Sequence, residues 1–277
     1  MAKILLAASA TLAAGGILVI TLFVAASGWP LLQQTGWWAF VSGRVWSPGT
    51  GVFGILPMIA GSVLVTLGAL VFGCGLGLPA AIYLAEFAPR RLAGAVRQGV
   101  QLLAGIPSVV YGFYALTVLV PLIRRVSSGS GYSVLTGGIV LGVMILPTVV
   151  SLSEDAIAGV PAEHRLGALA LGATRWQTMV RVLLPAARSG LVAAIILAAG
   201  RAVGETMAVI MVTGNVARFP SSLFDPVRTL TGNIALEMAY AAGEHQEALF
   251  ATGLVLFLFT MSLNLLARAA GRRKRPG

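Results

Sequence analysis

The chain has 277 residues, of which 57% are hydrophobic and only 10% are charged. A water-soluble domain cannot bury so much apolar surface with so few charged groups, so the composition excludes a soluble globular protein and indicates an all-helical protein that crosses a membrane several times. The formal net charge of +10 could suggest nucleic acid, but the basic residues occur in short groups between apolar segments, which is typical of loops that set membrane topology. We therefore expect contact with membrane lipid and no nucleic-acid partner.

Six apolar segments are long enough to cross a bilayer as helices, and they predict one transmembrane domain over residues 1–277. The first is longer than the apolar part of a signal peptide, so we expect it to be a retained membrane helix. The second is rich in glycine, which permits close contact between helices. The predicted spans are 4–26, 56–86, 100–123, 134–152, 191–212 and 248–267.

Six spans place both ends of the chain on one side of the membrane. Most of the 19 Lys and Arg residues lie on that side, including the basic tail at 272–275, whereas Arg124 and Arg125 lie on the other. By the positive-inside rule, both termini and the loop at 153–188 are predicted to be cytoplasmic.

The two long outer connections contain aromatic residues and one helical pattern. The first, at 27–57, holds four tryptophans that are predicted to be anchors at the membrane interface: Trp29, Trp37, Trp38 and Trp46. The second, at about 215–247, holds a predicted short helix from Ile234 to Ala241.

The loop between spans four and five has the pattern of two short helices joined by a tight turn. Pro161 suits the first turn of a helix, and Gly172 suits the position just past a helix end, where the backbone is left-handed. Thr174 and Gln177 form a capping-box pattern that begins the second helix. That helix is amphipathic, with Trp176 on its apolar face, so the loop is predicted to dock a soluble partner.

The sequence lacks the residues that common catalytic and metal sites require. It has two lysines and no Gly-x-x-x-x-Gly-Lys-Ser/Thr motif to hold nucleotide phosphates, so the chain is not expected to hydrolyse ATP. His164 and His245 are the only histidines and Cys74 is the only cysteine, which excludes a His/Cys metal cluster. Glu154 and Asp155 suit the first turn of a helix better than a catalytic pair. We predict no catalytic residues, no metal and no cofactor bound by this chain.

Arg201 and Glu205 lie four residues apart in the fifth predicted span, and so on one face of a helix. Charged side chains in a membrane segment are costly, so this face should meet a pathway or a partner helix rather than lipid. The guanidinium is a planar fork of donors that matches a tetrahedral oxyanion, which predicts an anion site; the alternative is a structural ion pair between helices. Glu205 would add selectivity by accepting a hydrogen bond from a protonated oxyanion.

Ser108 and Tyr111 complete the predicted substrate pathway. They lie in the third segment, in the stretch GIPSVVYG, where Pro107 leaves a backbone carbonyl without its helical donor. Irregular backbone of this kind belongs against protein or water rather than lipid. The two hydroxyls are therefore candidates for contact with a polar substrate.

The stretch GALALGATRWQTMVRVLLP resembles the cytoplasmic EAA-type signature by which ABC importer permeases engage their ATPase subunit. The fixed glycine of the signature falls on Gly172, and its usual glutamate is missing. The resemblance implies a set of ATPase-coupling residues that comprises the opening triplet, the turn, the helix that follows it and the closing Leu-Pro: Leu166, Gly167, Ala168, Gly172, Ala173, Arg175, Leu184 and Pro185.

Three further stretches resemble the phosphate ABC importer permease of the PstC type. They are YLAEFAP from Tyr83, GIPSVVYGFYAL from Gly105 and GRAVGETMAVIMVTGN from Gly200. The resemblance extends over nearly the whole chain from about Phe53. It implies a type I ABC importer permease fold in the bacterial cytoplasmic (inner) membrane, with Arg201 and Glu205 on the phosphate route.

The resemblance also implies partners and a mechanism. The partners are a sister permease of the PstA type, two copies of a soluble ATPase subunit that uses the ATP, and a periplasmic or lipid-anchored phosphate-binding protein. Closure of the ATPase dimer would move the helices around Gly172 and switch the membrane helices between outward and inward openings. The alternatives are a permease for another oxyanion such as phosphonate, sulfate or molybdate, an ion-coupled secondary transporter that works alone, and a membrane-embedded enzyme.

Overall fold

The computed structural model describes residues 2–127 and 129–272, and nearly all regular structure within them is helical. The strands are β1 (Trp46–Ser47) and β2 (Val52–Phe53), which pair as a small antiparallel hairpin. The helices are α1 (Ala2–Thr35), α2 (Trp37–Ser42), α3 (Leu56–Ile82), α4 (Arg90–Gly105), α5 (Ser108–Tyr114), α6 (Val120–Val126), α7 (Val134–Ala158), α8 (Ala162–Ala170), α9 (Arg175–Thr178), α10 (Leu184–Gly204), α11 (Met207–Val212), α12 (Leu230–Glu237) and α13 (Glu244–Arg272). The residues at 273–275 of the basic tail lie outside the described part of the chain.

The described residues contain six helical stretches that are long and apolar enough to cross a membrane, which confirms the predicted number. Three widened turns with i→i+5 hydrogen bonds form part of these stretches. Ala115–Leu119 joins α5 to α6, Met179–Leu183 joins α9 to α10, and Tyr83–Phe87 extends α3 to the end of its stretch. The spans are Lys3–Thr35, Leu56–Phe87, Ser108–Val126, Val134–Ala158, Arg175–Gly204 and Glu244–Leu266.

Spans three and five differ most from the prediction. Span three begins at Ser108 rather than at residue 100, because the backbone leaves the helix at Ile106 and Pro107 and separates it from α4. Span five begins at Arg175 and ends at Gly204, whereas a helix over 191–212 was expected. Both predicted segments therefore contain a break in the helix that hydropathy alone does not reveal.

A widened turn explains why Pro185 does not separate α9 from α10. The backbone N–H of Leu184 bonds to the carbonyl of Met179, five residues earlier. The extra residue in this turn accommodates the proline ring, which cannot fit an unbroken α-helical ladder. The expected second short helix is thus continuous with span five. Pro161 also differs from the prediction, since it lies just before α8 and not in its first turn.

Helices α3 and α7 form the central pair of the molecule and pack through glycines. A Cβ atom on Gly68 would lie 3.2 Å from the Cα of Gly138, and one on Gly73 would lie 2.6 Å from Ile145. This confirms the close contact expected of the glycine-rich second span. The pair shares one buried core with α10 and α11. Its members include Val65 and Ala69 of α3, Leu141 and Val149 of α7, Ala198 of α10 and Val209 of α11.

The carboxylates Glu154 and Asp155 lie near the C-terminal end of α7, not in a first turn, because α7 continues to Ala158. The predicted outer helix is α12, which starts at Leu230 where Thr229 caps it by accepting from the N–H of Gly232 at 3.1 Å. The helix predicted at 234–241 thus begins and ends four residues earlier. Glu154 on α7 and Glu237 on α12 are both buried, as described below.

Of the four tryptophans, Trp29, Trp37 and Trp38 are exposed, whereas Trp46 is half-buried. The indole N–H of Trp46 donates to Glu237 Oε2 at 2.9 Å. The prediction that Trp46 anchors the membrane interface is therefore wrong, because its polar atom serves a carboxylate inside the protein.

Candidate functional site

The candidate substrate site lies where span five breaks. Helix α10 ends at Gly204, Glu205 is extended with φ −70° and ψ 132°, and α11 begins at Met207. Arg201 and Glu205 are therefore not on one helical face, and neither a hydrogen bond nor a salt bridge joins them in the described chain. The prediction of a helical pair is wrong, because Glu205 leaves the helix.

Glu205 stabilises the break in span five. Its Oε1 accepts from the backbone N–H of Ala208 at 3.2 Å, so the carboxylate caps the first turn of α11. Its backbone carbonyl accepts from the hydroxyl of Thr231 at 2.9 Å. Within the described residues no donor contacts Oε2, so that oxygen can accept a further hydrogen bond.

Arg201 is the charged group at this site that keeps most of its donors available. Its Nη1 donates to Thr148 Oγ1 on α7 at 3.2 Å, and no carboxylate among the described residues pairs with it. The side chain is exposed at the end of a helix that is long and apolar enough to span a membrane. A guanidinium with free donors is an anion-binding group, whereas a structural arginine in a membrane segment is normally paired.

The break in span three is closed by Tyr111. Pro107 has no N–H to give to the carbonyl of Leu103, which instead accepts from the hydroxyl of Tyr111 at 2.7 Å and from the N–H of Ile106 at 3.3 Å. Ser108 is the first residue of α5. The two breaks lie in neighbouring helices, because a Cβ on Gly112 of α5 would be 2.9 Å from the Cα of Ala208 on α11.

The predicted docking loop has the local geometry that the sequence indicates. Gly172 has φ +86°, and the side chains of Thr174 and Gln177 each accept from the other's backbone N–H, at 3.2 and 2.9 Å. Within the described residues the loop leaves several apolar side chains exposed: Leu166, Leu169, Leu171 and Trp176.

The predicted coupling residues divide between this surface and the base of span five. Leu166, Gly167 and Ala168 lie on α8, Gly172 and Ala173 form the turn, and Arg175 begins α9. Leu184 and Pro185 instead begin α10, where Leu184 packs against the buried Met179 and Leu183.

Two ion pairs near the docking loop were not foreseen. Arg97 on α4 donates through Nε to Glu154 Oε1 at 2.7 Å, and this hydrogen bond together with the attraction between the charges raises the pKa of Arg97. Arg165 on α8 lies 2.8 Å from Glu86 in the widened turn after α3. The available signal was a lone carboxylate at the end of an apolar span, which needs a partner because it cannot remain buried alone.

A buried polar cluster ties together the two long connections at 27–57 and 215–247, and it too was missed. The carboxylate of Glu237 contacts Arg228 through Oε1, and through Oε2 it accepts from Trp46 at 2.9 Å and contacts His245 Nε2 at 2.8 Å. Asn233 Oδ1 accepts from the same Arg228 at 3.1 Å. Glu237 is only 6% exposed, and both oxygens of its carboxylate are bound by partners inside the protein.

No group of three or more His, Cys, Asp or Glu residues within 2–127 and 129–272 is placed to hold a metal ion. The polar groups at the breaks in spans three and five are a guanidinium, a carboxylate and hydroxyls. The guanidinium and the hydroxyls can donate hydrogen bonds to an anion, whereas the carboxylate can only accept one from a protonated anion.

Comparison with known proteins gives consistent matches. The family described as "Binding-protein-dependent transport system inner membrane component" matches residues 77–276. The chain is 40% identical to the Bacillus subtilis (strain 168) protein named probable ABC transporter permease protein YqgH, over 99% of this chain and 91% of that one. It is 36% identical to the phosphate transport system permease protein PstC of Mesorhizobium japonicum, over 92% of this chain and 83% of that one.

Solved structures match the fold as well. A chain of a bacterial alginate ABC transporter, solved in complex with its alginate pentasaccharide-bound periplasmic protein, has a TM-score of 0.68 and 16% identity over 97% of this chain and 94% of its own. A chain of the inward-facing MetNI methionine ABC transporter has a TM-score of 0.60 and 23% identity over 78% of this chain and 96% of its own. At these identities the agreement concerns the fold alone.

Proposed function

The chain belongs to the family of inner-membrane components of binding-protein-dependent transport systems, and from that membership we propose that it is the permease subunit of an ATP-driven importer of inorganic phosphate. The observation that carries the proposal is Arg201, an exposed guanidinium beside the broken segment of span five whose donors are mostly free. The relatives named as phosphate permeases support the choice of anion.

The chemistry of Arg201 suits phosphate. Two parallel N–H groups of a guanidinium match two oxygens of a tetrahedral anion, and the charge-assisted hydrogen bonds are about twice as strong as neutral ones. Thr148 orients the guanidinium from α7 through Nη1, which leaves the other donors for the anion. Because the anion is bound by hydrogen bonds, it can be released when the helices that present the donors move apart.

Glu205 would supply selectivity. Its Oε1 holds α11, while Oε2 can accept a hydrogen bond from the remaining proton of hydrogen phosphate. Sulfate at neutral pH has no proton to give and would be repelled by the carboxylate. The variant Glu205→Gln keeps an oxygen for the N–H of Ala208 and loses the charge, so we expect it to relax discrimination between phosphate and sulfate while α11 stays capped.

The exposed apolar side chains on α8 and α9 fit a docking surface for an ATPase subunit. In this proposal two ATPase copies consume the ATP, a sister permease of the PstA type completes the membrane channel, and a periplasmic or lipid-anchored phosphate-binding protein delivers the substrate. Both termini and α8 are cytoplasmic, and the chain itself binds no cofactor. Closure of the ATPases alternates the access of the site around Arg201.

Uptake of labelled phosphate by the reconstituted complex tests the proposal. We expect Arg201→Gln to reduce uptake by about 100-fold, since hydrogen bonds to a charged group contribute about 1.5–3 kcal/mol each. Arg188→Gln is the matched control, because Arg188 is an exposed arginine on the same helix. Co-purification of the ATPase subunit checks assembly. Normal phosphate uptake by an assembled Arg201→Gln complex would contradict the proposal, as would phosphate transport by the isolated chain in liposomes.

A further inference from the structure

The ion pair between Glu86 and Arg165 joins the docking surface to the central helix pair. Arg165 is on α8, and its Nη2 lies 2.8 Å from Oε2 of Glu86, which follows α3 in the widened turn Tyr83–Phe87. The Glu86 side chain is 8% exposed and the Arg165 side chain is 35% exposed. A carboxylate buried to that degree is stable as an anion only while its partner stays in place, so α8 and the end of α3 are held together.

A second contact lies beside this pair. The rings of Phe87 and Trp176 are 6.2 Å apart between centroids and tilted by 41°. Trp176 belongs to α9, so the end of α3 touches both helices of the docking surface, one through charge and one through aromatic contact. Two contacts of different kind fix orientation as well as distance.

The core beneath these contacts connects them to the rest of the membrane domain. The buried side chains of Ile157 at the end of α7 and of Met179 and Leu183 at the base of span five form one cluster, against which Ile82 and Phe87 pack. Since α3 and α7 pack closely through glycines, a displacement of the end of α3 is shared by α7.

The turn that carries Glu86 is suited to movement. Its i→i+5 hydrogen bond runs from the N–H of Ala88 to the carbonyl of Tyr83 at 2.8 Å, and such turns are places where a helix bends. Within the described residues the Nε of Arg165 is buried without an acceptor. A small movement of α8 could therefore give the guanidinium a second hydrogen bond to the same carboxylate.

We propose that the Glu86–Arg165 ion pair transmits movement of α8 to α3, and so couples ATP hydrolysis in the partner subunit to opening of the substrate path. The inference rests on the proposed function. Glu86 and Arg165 act as positioning residues, since neither is placed at the substrate site. The pair Arg97–Glu154 is a useful contrast, because it joins α4 to α7 and involves neither α8 nor α9.

The first experiment measures phosphate imported per ATP hydrolysed by the full complex in liposomes. We expect Glu86→Gln and Arg165→Gln each to keep ATPase activity and to lower this ratio about tenfold, within the usual range of coupling between sites. The exchanged pair Glu86→Arg with Arg165→Glu should recover most of the ratio. The control Glu163→Gln, an exposed carboxylate on the same helix, should leave it unchanged.

Glu154→Gln serves as the structural control. It removes an ion pair whose carboxylate is likewise buried, so it should lower thermal stability while the ratio of phosphate to ATP stays normal. An unchanged ratio in Glu86→Gln and Arg165→Gln would overturn the inference. So would a lowered ratio in both single variants with no recovery in the exchanged pair, because the effect would then belong to each residue separately.

A second measurement does not depend on the transported anion. In a Cys74→Ser background, the exposed Leu76 of α3 and Leu265 of α13 are each replaced by cysteine and spin-labelled. The two labels report the distance between these helices. We expect non-hydrolysable ATP to shift this distance in the wild-type complex and not in Glu86→Gln; an equal shift in both would contradict the inference. Absence of phosphate uptake by the wild-type complex, with the shift present, would reject the proposed function alone.

Discussion

Arg228 and Arg201 are two arginines of the same chain in opposite surroundings. Arg228 is half-buried, and it donates to the carbonyl of Asn215 at 2.9 Å, to Asn233 Oδ1 at 3.1 Å and to the carboxylate of Glu237. Arg201 is exposed and donates to one hydroxyl, that of Thr148. The donors of Arg228 are occupied by protein acceptors, whereas the described residues leave most donors of Arg201 available for a ligand.

The difference shows how the same side chain can serve the fold or a ligand. Removing a charge from water is costly, so a buried arginine adds to stability only when nearly all its donors are paired. An arginine that binds a transported anion must instead keep donors free, and therefore contributes little to the fold. We therefore expect a change at Arg228 to lower stability and a change at Arg201 to lower transport.

The largest effect is expected from Glu237→Gln, which removes the charge that Arg228, Trp46 and His245 share. Breaking a buried ion pair from one side leaves an uncompensated charge, so the variant should lose about 3–5 kcal/mol of stability. Thermal unfolding of the purified protein in detergent measures this. Glu244→Gln, an exposed change at the start of α13, is the control. A similar melting temperature for both variants would show that the cluster around Glu237 does not stabilise the fold.

Replacing each arginine by lysine sharpens the comparison. Lysine keeps the positive charge but presents a compact ammonium instead of a planar fork. We expect Arg201→Lys to lower phosphate uptake about tenfold with a stability change of less than about 0.5 kcal/mol, as for other exposed positions. Arg228→Lys should instead lower the melting temperature while each folded molecule transports normally. If both variants lowered only uptake, or both lowered only the melting temperature, the two arginines would not have the separate roles described.

The sequence predicts what depends on local pattern. The apolar length of each segment indicates the six spans, and the capping box at Thr174 and the left-handed turn at Gly172 follow from residues within a few positions. The long-range contacts are different, because Trp46 and Glu237 are separated by 191 residues. No periodicity in one segment indicates which distant residue will satisfy a buried charge.

Pro107 and Pro185 show the same limit. At Pro107 the helix ends, and the distant hydroxyl of Tyr111 bonds to the carbonyl that the break leaves behind. Pro185 is instead accommodated by a widened turn beside a buried cluster. The break at Glu205 is also stabilised from a distance, by the hydroxyl of Thr231. A helix over 191–212 was therefore a reasonable expectation and still wrong.

Tyr111→Phe separates a structural role from a substrate role. The hydroxyl closes the break before α5, so its loss should cost about 1 kcal/mol, the usual net contribution of such a hydrogen bond. If Tyr111 serves only the break, phosphate uptake per folded complex should stay within about twofold of wild type. A decrease of tenfold or more at intact stability would instead place the hydroxyl on the substrate path, as the sequence predicts.

The smallest effect is expected at Thr148, whose hydroxyl accepts from Arg201 and so orients the guanidinium. Thr148→Val keeps the shape of the side chain and removes the acceptor, while Thr148→Ser keeps the acceptor. With one neutral-to-charged hydrogen bond lost from an exposed site, we expect the phosphate concentration for half-maximal uptake to rise about threefold in Thr148→Val, with the maximal rate unchanged. Thr148→Ser should behave as wild type. A fall in maximal rate in both variants would mean that α7 needs the threonine for packing, and that Arg201 finds its orientation without it.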